Sequence, residues 1–472
     1  MQEVLPEIIK SWENTANQRH QVSVVNIEKK EWHTVFKRII KADNIVFSCY
    51  TPELFKFAKI LRFKLGLNSR FIVHLFNHST IACWPMRYFG GENIFRSSDI
   101  FISSCSRDRR CLKLTFPQAN SVTIPFILTR IFHEACPMKM AKIIPFIFIG
   151  RLASQKQLHT LLFSFFLLKK KHPEILWKLK LVGEADNFGS PNMGIVEKDY
   201  LNELKRLCEA LSISDRVEFV GQQSRGQINR ILAKNRYIFT SASLHSDENF
   251  GIAAFQALMK GHLAVLSDWG GHSDFKLHFR KQVFLCPVKR TSIGPAIQAH
   301  QLCSKLVGAI QVYGTKPIRH RPDYYKEERI TQMNLKLALS PQQNGKPLRA
   351  SRMANQILIR ARHSIKRKEK GKKNFSIFSG YDDPIAKRFF EVYGMKFSLR
   401  PRYSRKLILQ PWVVLDETRI HIYDTHKGYR SMVRRAVNNA TSMRIRTFEE
   451  KDVFINSIEF KWLNRHGYVD SI

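Results

Sequence analysis

Short apolar runs recur from about residue 42 to residue 286, each bounded by polar or glycine-containing turns. Four of them, Ala42–Ser48 (ADNIVFS), Arg70–Phe76 (RFIVHLF), Asp99–Ser103 (DIFIS) and Ser121–Pro125 (SVTIP), read as buried strands separated by helical or looped segments. From Ile143 the pattern sharpens. Ile143–Gly150 (IIPFIFIG) is apolar throughout, as strands covered on both faces of a parallel sheet are. Further strands are predicted at Lys178–Val182, Val217–Val220, Tyr237–Thr240, Leu263–Leu266 and Val283–Cys286, with helices between them, one over Thr160–Lys170. This alternation predicts an α/β fold with doubly wound parallel sheets.

After Ser340 the pattern changes. SPQQNGKPLRASR is turn-rich, and ARHSIKRKEKGKK (Ala361–Lys373) is a basic run that reads as a solvated linker or helix face. Mixed α/β patterning follows from Phe375, with a strand expected in Lys406–Leu415. The expected divisions are therefore a first Rossmann-like domain at 1–138, a second at 139–339, a basic linker at 340–374 and a small α+β extension at 375–472.

Composition narrows the class. A chain of 472 residues with 44% hydrophobic residues can fill two or three cores, and its 34 phenylalanines read first as core packing. The first fifteen residues, MQEVLPEIIKSWENT, lack the apolar stretch of a signal peptide, and the most apolar run, Leu161–Leu168, is far short of the ~20 residues of a membrane span. The eight cysteines include no C-x-x-C pair and no zinc-type spacing with histidine, which favours a reducing cytoplasmic setting. A formal net charge of +38 favours polyanionic partners: nucleic acid, an anionic membrane surface or a phosphorylated glycolipid. No nucleic-acid-binding module accompanies the charge, so nucleic acid ranks last.

The candidate chemistry lies in the second domain. Gly150-Arg151-Leu152 follows the first strand there, and Lys156 comes five residues after the arginine, just before a helix. A glycine turn, two cationic side chains and a helix N-terminus make a cradle for a diphosphate. LKLVGEAD (179–186) and DRVEFVGQQSRGQINRIL (215–232) each give a strand running into a glycine turn. Next, SDENFGIAAFQALMKGHLAVLSDWGG (246–271) places Glu248 before a Phe250-Gly251 step that opens a helix, Gln256 eight residues on, and then a strand ending in Gly-Gly. In open parallel sheets ligands bind outside the carboxyl ends of strands, where all these loops lie.

In this order the motifs GRL-x3-K, LVG, RVEFVG, E-x-F-G and Gly-Gly, over about Ile143–Pro287, resemble the donor-binding domain of retaining glycosyltransferases of family 4, which have the GT-B fold. The first domain resembles the acceptor side of that family more loosely, through FIVHLFNHST, SSDIFISSCS and SVTIPF. The resemblance implies two Rossmann-like domains facing across a cleft. It also implies a nucleoside-diphosphate sugar as donor, a glycan or lipid-linked acceptor, and no metal or other cofactor. By the family pattern Gly150, Arg151 and Lys156 bind the diphosphate and Glu248 accepts hydrogen bonds from sugar hydroxyls. Phe250 and Gly251 offer backbone N–H groups, and His78 reaches the donor sugar, with His74 as the alternative.

Three departures stand out. Gln256 occupies the second acidic position, where glutamate would accept from both ribose hydroxyls; the mismatch is worth about 1–3 kcal/mol of nucleotide binding. The opening strand of the first domain is missing, the chain beginning near its second strand at Gln21–Ile27 (QVSVVNI). No helix that closes the fold back onto the first domain is evident after Gly314. At the C-terminus, His426–Ala440 with TSMRIRTF after it resembles the basic helix of the peptidoglycan aminoacyltransferase group, or is simply an amphipathic basic helix packed on a small sheet. The resulting expectation is a sugar transferase of bacterial surface polysaccharide assembly, lipopolysaccharide included, cytoplasmic and peripheral on the inner membrane face. A glycosyltransferase-like scaffold without turnover is the alternative.

Overall fold

The computed structural model describes residues 4–17, 21–25, 32–49, 51–75, 84–128, 142–186, 199–246, 248–291, 294–314, 322–342, 344–370, 375–380 and 383–396. Beyond these it describes short strand pieces at 407–409, 413–415, 420–422 and 469–471. His78, His426–Ala440 and the TSMRIRTF segment lie outside the described residues.

Ten of the eleven strands expected before residue 290 form, in two parallel sheets. The first holds β1 (Asn44–Phe47), β2 (Arg70–Leu75), β3 (Ile100–Ser103) and β4 (Asn120–Thr123), side by side in chain order. Gln21–Val25 carries no strand, and among the described residues the sheet opens at β1. The second sheet holds β5 (Ile144–Ile149), β6 (Trp177–Val182), β7 (Val217–Gly221), β8 (Ile238–Ser241), β9 (Leu263–Ser267) and β10 (Val283–Cys286). Its order is β10-β9-β8-β5-β6-β7. The chain therefore winds outward twice from the centre, and the direction reverses between β5 and β8. That reversal opens a crevice at the strands' carboxyl ends.

The continuous apolar runs explain why these strands are central. Phe146, Ile147, Phe148, Ile238, Phe239, Leu263, Ala264 and Val265 are buried, and the helix Leu158–Lys171 covers one face with Leu161, Leu162, Phe165 and Leu168. Each fully buried Leu or Phe stabilises the fold by about 1.5–3 kcal/mol. The two units share apolar contact as well. Ile72, Ile102, Ile124 and Phe126 of the first unit belong to one buried cluster with Phe250, Phe255, Phe275 and Tyr325.

Three segments differ from the reading of the sequence. A helix does follow Gly314: Glu327–Leu339 packs on the N-terminal helix Leu5–Glu13, where Asn334 donates to Ser11 Oγ at 3.0 Å. Arg70 of β2 holds its last turn, donating to the carbonyls of Leu337 (2.7 Å), Ala338 (3.0 Å) and Ser340 (2.9 Å). The expected linker 340–374 is instead occupied by the 18-residue helix Arg352–Glu369, capped by Ser351 and buried through Ala354, Ile357, Leu358 and Ala361. Most of its lysines and arginines are exposed, while Arg360 turns inward to pair with the buried Asp383 at 2.6 Å. Residues assigned to the C-terminal extension also join the second unit: helix Pro384–Tyr393 places Phe389, Phe390 and Tyr393 in its core, and Met395–Lys396 pairs parallel with Val288–Lys289.

Candidate active site

β5 ends at Gly150, and the backbone beyond stays paired with the segment after β6. Gly150 N–H donates to Val182 (2.9 Å), Leu152 N–H to Glu184 (2.8 Å) and Asp186 N–H back to Leu152 (3.2 Å). The two backbones run so close that a Cβ on Gly183 would overlap the Gly150 carbonyl, which requires glycine there. This pairing sets Arg151 beside Asp186, and Arg151 Nη1 bonds the buried Asp186 carboxylate. Arg151 Nη2 lies 3.3 Å from His245 Nε2 in the loop after β8.

The next turn, Ser154–Lys156, leads into helix Leu158–Lys171 through Gln157 in the left-handed conformation. Leu244 N–H donates to the Gln155 carbonyl at 2.9 Å, bringing this turn against the loop after β8. Lys156 Nζ then meets Glu248 Oε2 at 2.6 Å, with the two side chains 15% and 11% exposed. Ser243 Oγ–H donates to the same carboxylate oxygen, and His272 Nε2 stands 3.7 Å from the other. Burial opposes ionisation of Glu248, but the Lys156 ammonium overrides it and holds the carboxyl well below the usual carboxylate range. Burial keeps His272 neutral, its pKa pushed down to about 4. Glu248 is therefore an ionised acceptor fixed from three sides.

Glu248 leads directly into the helix Ile252–Met259. Gly251 at its start has φ +76°, and a Cβ there would lie 2.7 Å from His272 Cδ2, so both conformation and space require glycine. No side chain caps this helix start. Phe250 acts through its ring, which sits edge-on to Phe126 at 5.3 Å and to Phe275 at 5.6 Å. The Gly-Gly turn after β9 grips the loop from below, Gly271 N–H donating to the Glu248 carbonyl at 2.8 Å.

The fold thus brings Gly150, Arg151, Lys156, Glu248 and Gly251 to the carboxyl ends of β5 and β8, the strands on either side of the reversal. Residues 140–297 match the family model of glycosyl transferases group 1. The match covers about a third of the chain and contains every one of these residues. Over 130 residues the chain is 33% identical to an uncharacterised glycosyltransferase, YqgM, of Bacillus subtilis (strain 168), covering 27% of this chain and 31% of that protein. It is 26% identical over 172 residues to the mannosylfructose-phosphate synthase of Agrobacterium fabrum (strain C58), covering 36% of each. The match thus spans about a third of the length of these curated relatives. Among solved structures, Anabaena HepE in complex with UDP and glucose aligns at 16% identity and a TM-score of 0.41, over 65% of this chain and 75% of that one. The architecture is α/β, with two Rossmann-like units built on parallel sheets.

The remaining expected residues sit as follows. Gln256 Nε2 donates to Asn229 Oδ1 at 2.7 Å, so its amide is engaged by the neighbouring helix Arg225–Lys234. His74 lies within β2 and accepts from Trp12 Nε1 at 2.9 Å; burial pushes its pKa down to about 3. It is a neutral core histidine bonded to the N-terminal helix. Asp186, Ser243, His245 and His272 were not singled out from the sequence, although each lies in or beside a quoted motif. Only the pairing between loops shows their roles.

The two units also meet in a polar seam. Asp274 accepts from Ser106 N–H at 2.7 Å and Ser106 Oγ–H at 2.6 Å, at the start of the first unit's helix Ser106–Thr115. Arg107 donates to the Asp268 carbonyl (2.5 Å), the Asp268 carboxylate (2.6 Å) and the Tyr393 carbonyl (2.7 Å), while Lys396 meets Asp268 at 2.8 Å.

Proposed function

We propose that the chain is a retaining glycosyltransferase (EC 2.4 class) that moves a sugar from a nucleoside diphosphate to a glycan or lipid-linked acceptor. The observation that carries this reading is the Lys156–Glu248 pair, 2.6 Å apart at the sheet's reversal point, with Arg151 on the same rim. A diphosphate there meets a guanidinium, an ammonium and the open start of helix Ile252–Met259. Asp186 and Glu248 hold the two cations in place beforehand, so little reorganisation is needed as charge builds on the departing phosphate. Glu248, ionised and facing the cleft loops, accepts from the sugar's hydroxyls. The acceptor hydroxyl then attacks from the leaving-group face, and the β-phosphate takes its proton.

Under this reading the acceptor is a membrane-borne intermediate of bacterial surface polysaccharide, lipopolysaccharide among them, and the protein works at the inner face of the membrane. No metal or other cofactor takes part. The test is a panel of nucleotide sugars offered to the full chain, with free nucleotide as the readout. One donor is expected to turn over, and Lys156→Ala is expected to lower kcat about 10²–10³-fold. Turnover of a donor at the same rate by Lys156→Ala and Glu248→Gln would overturn the assignment.

A second reading, a glycosyltransferase-like scaffold without turnover, is favoured by the Gln256–Asn229 bond, which engages the side chain meant for the ribose. It predicts no heat of binding for UDP or GDP by calorimetry with the fold intact.

A further inference from the structure

Apolar side chains that face solvent are scattered singly over most of the described surface, as is usual for a folded protein. One place differs. The helix Pro52–Lys59 continues without a break into a wider π-helical turn, Ile60–Lys64. Within six residues there, Ile60, Phe63 and Leu65 stand 38%, 57% and 39% exposed. Phe63 is the one phenylalanine among the described residues that is exposed.

The burial pattern sorts this segment into two faces. Phe55, Phe57, Ala58, Leu61 and Arg62 point inward, and Lys56, Lys59, Ile60, Phe63 and Lys64 point outward. Arg62 locks the rotation: it pairs with the buried Asp99 at 2.7 Å, donates to the Leu67 (2.8 Å) and Ser69 (2.7 Å) carbonyls, and stacks 3.7 Å over the Phe71 ring. The outward face is thus held in place as three lysines around an aromatic and an aliphatic residue, with Glu53 at the helix start as its exposed acid.

We infer that this face docks the first unit onto an anionic lipid bilayer. Lysines interleaved with a protruding phenylalanine match the headgroup layer, where the ammonium groups meet lipid phosphates and the ring enters the acyl boundary. A soluble acidic partner would use the lysines but would leave Phe63 and Ile60 without an apolar surface. No described helix is long and apolar enough to cross a membrane, so the contact is a surface one. The inference deepens the membrane-face reading above by naming the surface, and it rests on that reading only for its setting.

The test is co-sedimentation of the full chain with vesicles of phosphatidylglycerol and phosphatidylcholine, against phosphatidylcholine alone. Binding to the anionic vesicles is expected. The triple variant Lys56→Gln, Lys59→Gln, Lys64→Gln should lose about a hundredfold, at about fivefold per lysine, and Phe63→Ser about tenfold. A charge-matched control, Lys171→Gln, Lys178→Gln, Lys205→Gln on the second unit, should bind as the parent does. Equal loss in the control, or unchanged binding in both face variants, overturns the inference. So does a self-association of the parent chain, read by analytical ultracentrifugation, that Phe63→Ser abolishes. No nucleotide sugar enters the assay, so its failure leaves sugar transfer standing, and the reverse also holds.

Discussion

Removing Glu248 and removing both members of the Lys156–Glu248 pair should have different effects on stability and the same effect on chemistry. Both side chains are largely shielded from water, and the carboxylate is the ammonium's partner at 2.6 Å. Glu248→Ala leaves that ammonium without its counter-charge and frees the Ser243 hydroxyl. Breaking a buried pair from one side costs about 3–5 kcal/mol. Because Lys156 keeps some exposure, the low end applies, which for a unit of this size lowers the melting temperature by roughly 6–12 °C. The double variant Lys156→Met, Glu248→Ala leaves no orphaned charge and should melt within about 1 kcal/mol of the parent. Both variants should have lost sugar transfer. Thermal unfolding of the parent, both single variants and the double variant completes the cycle. Additive losses, with the double variant the least stable, would refute the claim that the pair is buried and coupled.

Gly251→Ala forces a side chain into a left-handed backbone and against His272; it should cost at least about 1–2 kcal/mol in unfolding experiments and remove calorimetric binding of UDP or GDP. Gln256→Glu should tighten nucleotide binding by about 1–3 kcal/mol, since Asn229 can turn its amide to donate to the new carboxylate; unchanged or weaker affinity would mean that this position does not face the ribose. His74 and His262 are pushed by burial to about 3, and His159 and His272 to about 4, against 6.5 when unfolded. Their folded pKa values are lowered, so the unfolded chain binds the extra protons. Stability is therefore intact above pH 6.5 and falls on acidification toward pH 4, by about 1.4 kcal/mol per pH unit per histidine. His74→Gln, which keeps an acceptor for Trp12, should flatten that slope in urea titrations by one histidine's share.

The strands could be read in the sequence because a strand buried on both faces must be apolar at nearly every position, and runs such as IIPFIFIG have no amphipathic rival. Arg151, Lys156 and Glu248 were singled out through the ordered motifs of the family resemblance, and the fold sets them on the loops after β5 and β8. What was not legible depends on distant partners. Helix Glu327–Leu339 has mixed polarity, and much of its anchoring comes from Arg70 and Ser11, more than 250 residues away. The charge of helix Arg352–Glu369 left linker and helix face as two readings of its basic half, although Ala354, Ile357, Leu358 and Ala361 mark an inward stripe at helical spacing. Asp186 and His245 touch Arg151 only because two loops are paired, which no local pattern announces.

Helix Pro384–Tyr393 and the pair Met395–Lys396 give the second unit a boundary that its family match does not reveal. Phe389, Phe390 and Tyr393 fill its interior although they lie some ninety residues beyond that match, and the Tyr393 carbonyl receives both Arg107 and Gly270. A graft of residues 140–297 into another scaffold would leave Trp269 bare where Phe390 and Tyr393 now cover it. Chimeras that exchange this unit between such chains should carry the late helix along, because the turn at Trp269–Gly270 is held from a segment more than a hundred residues later.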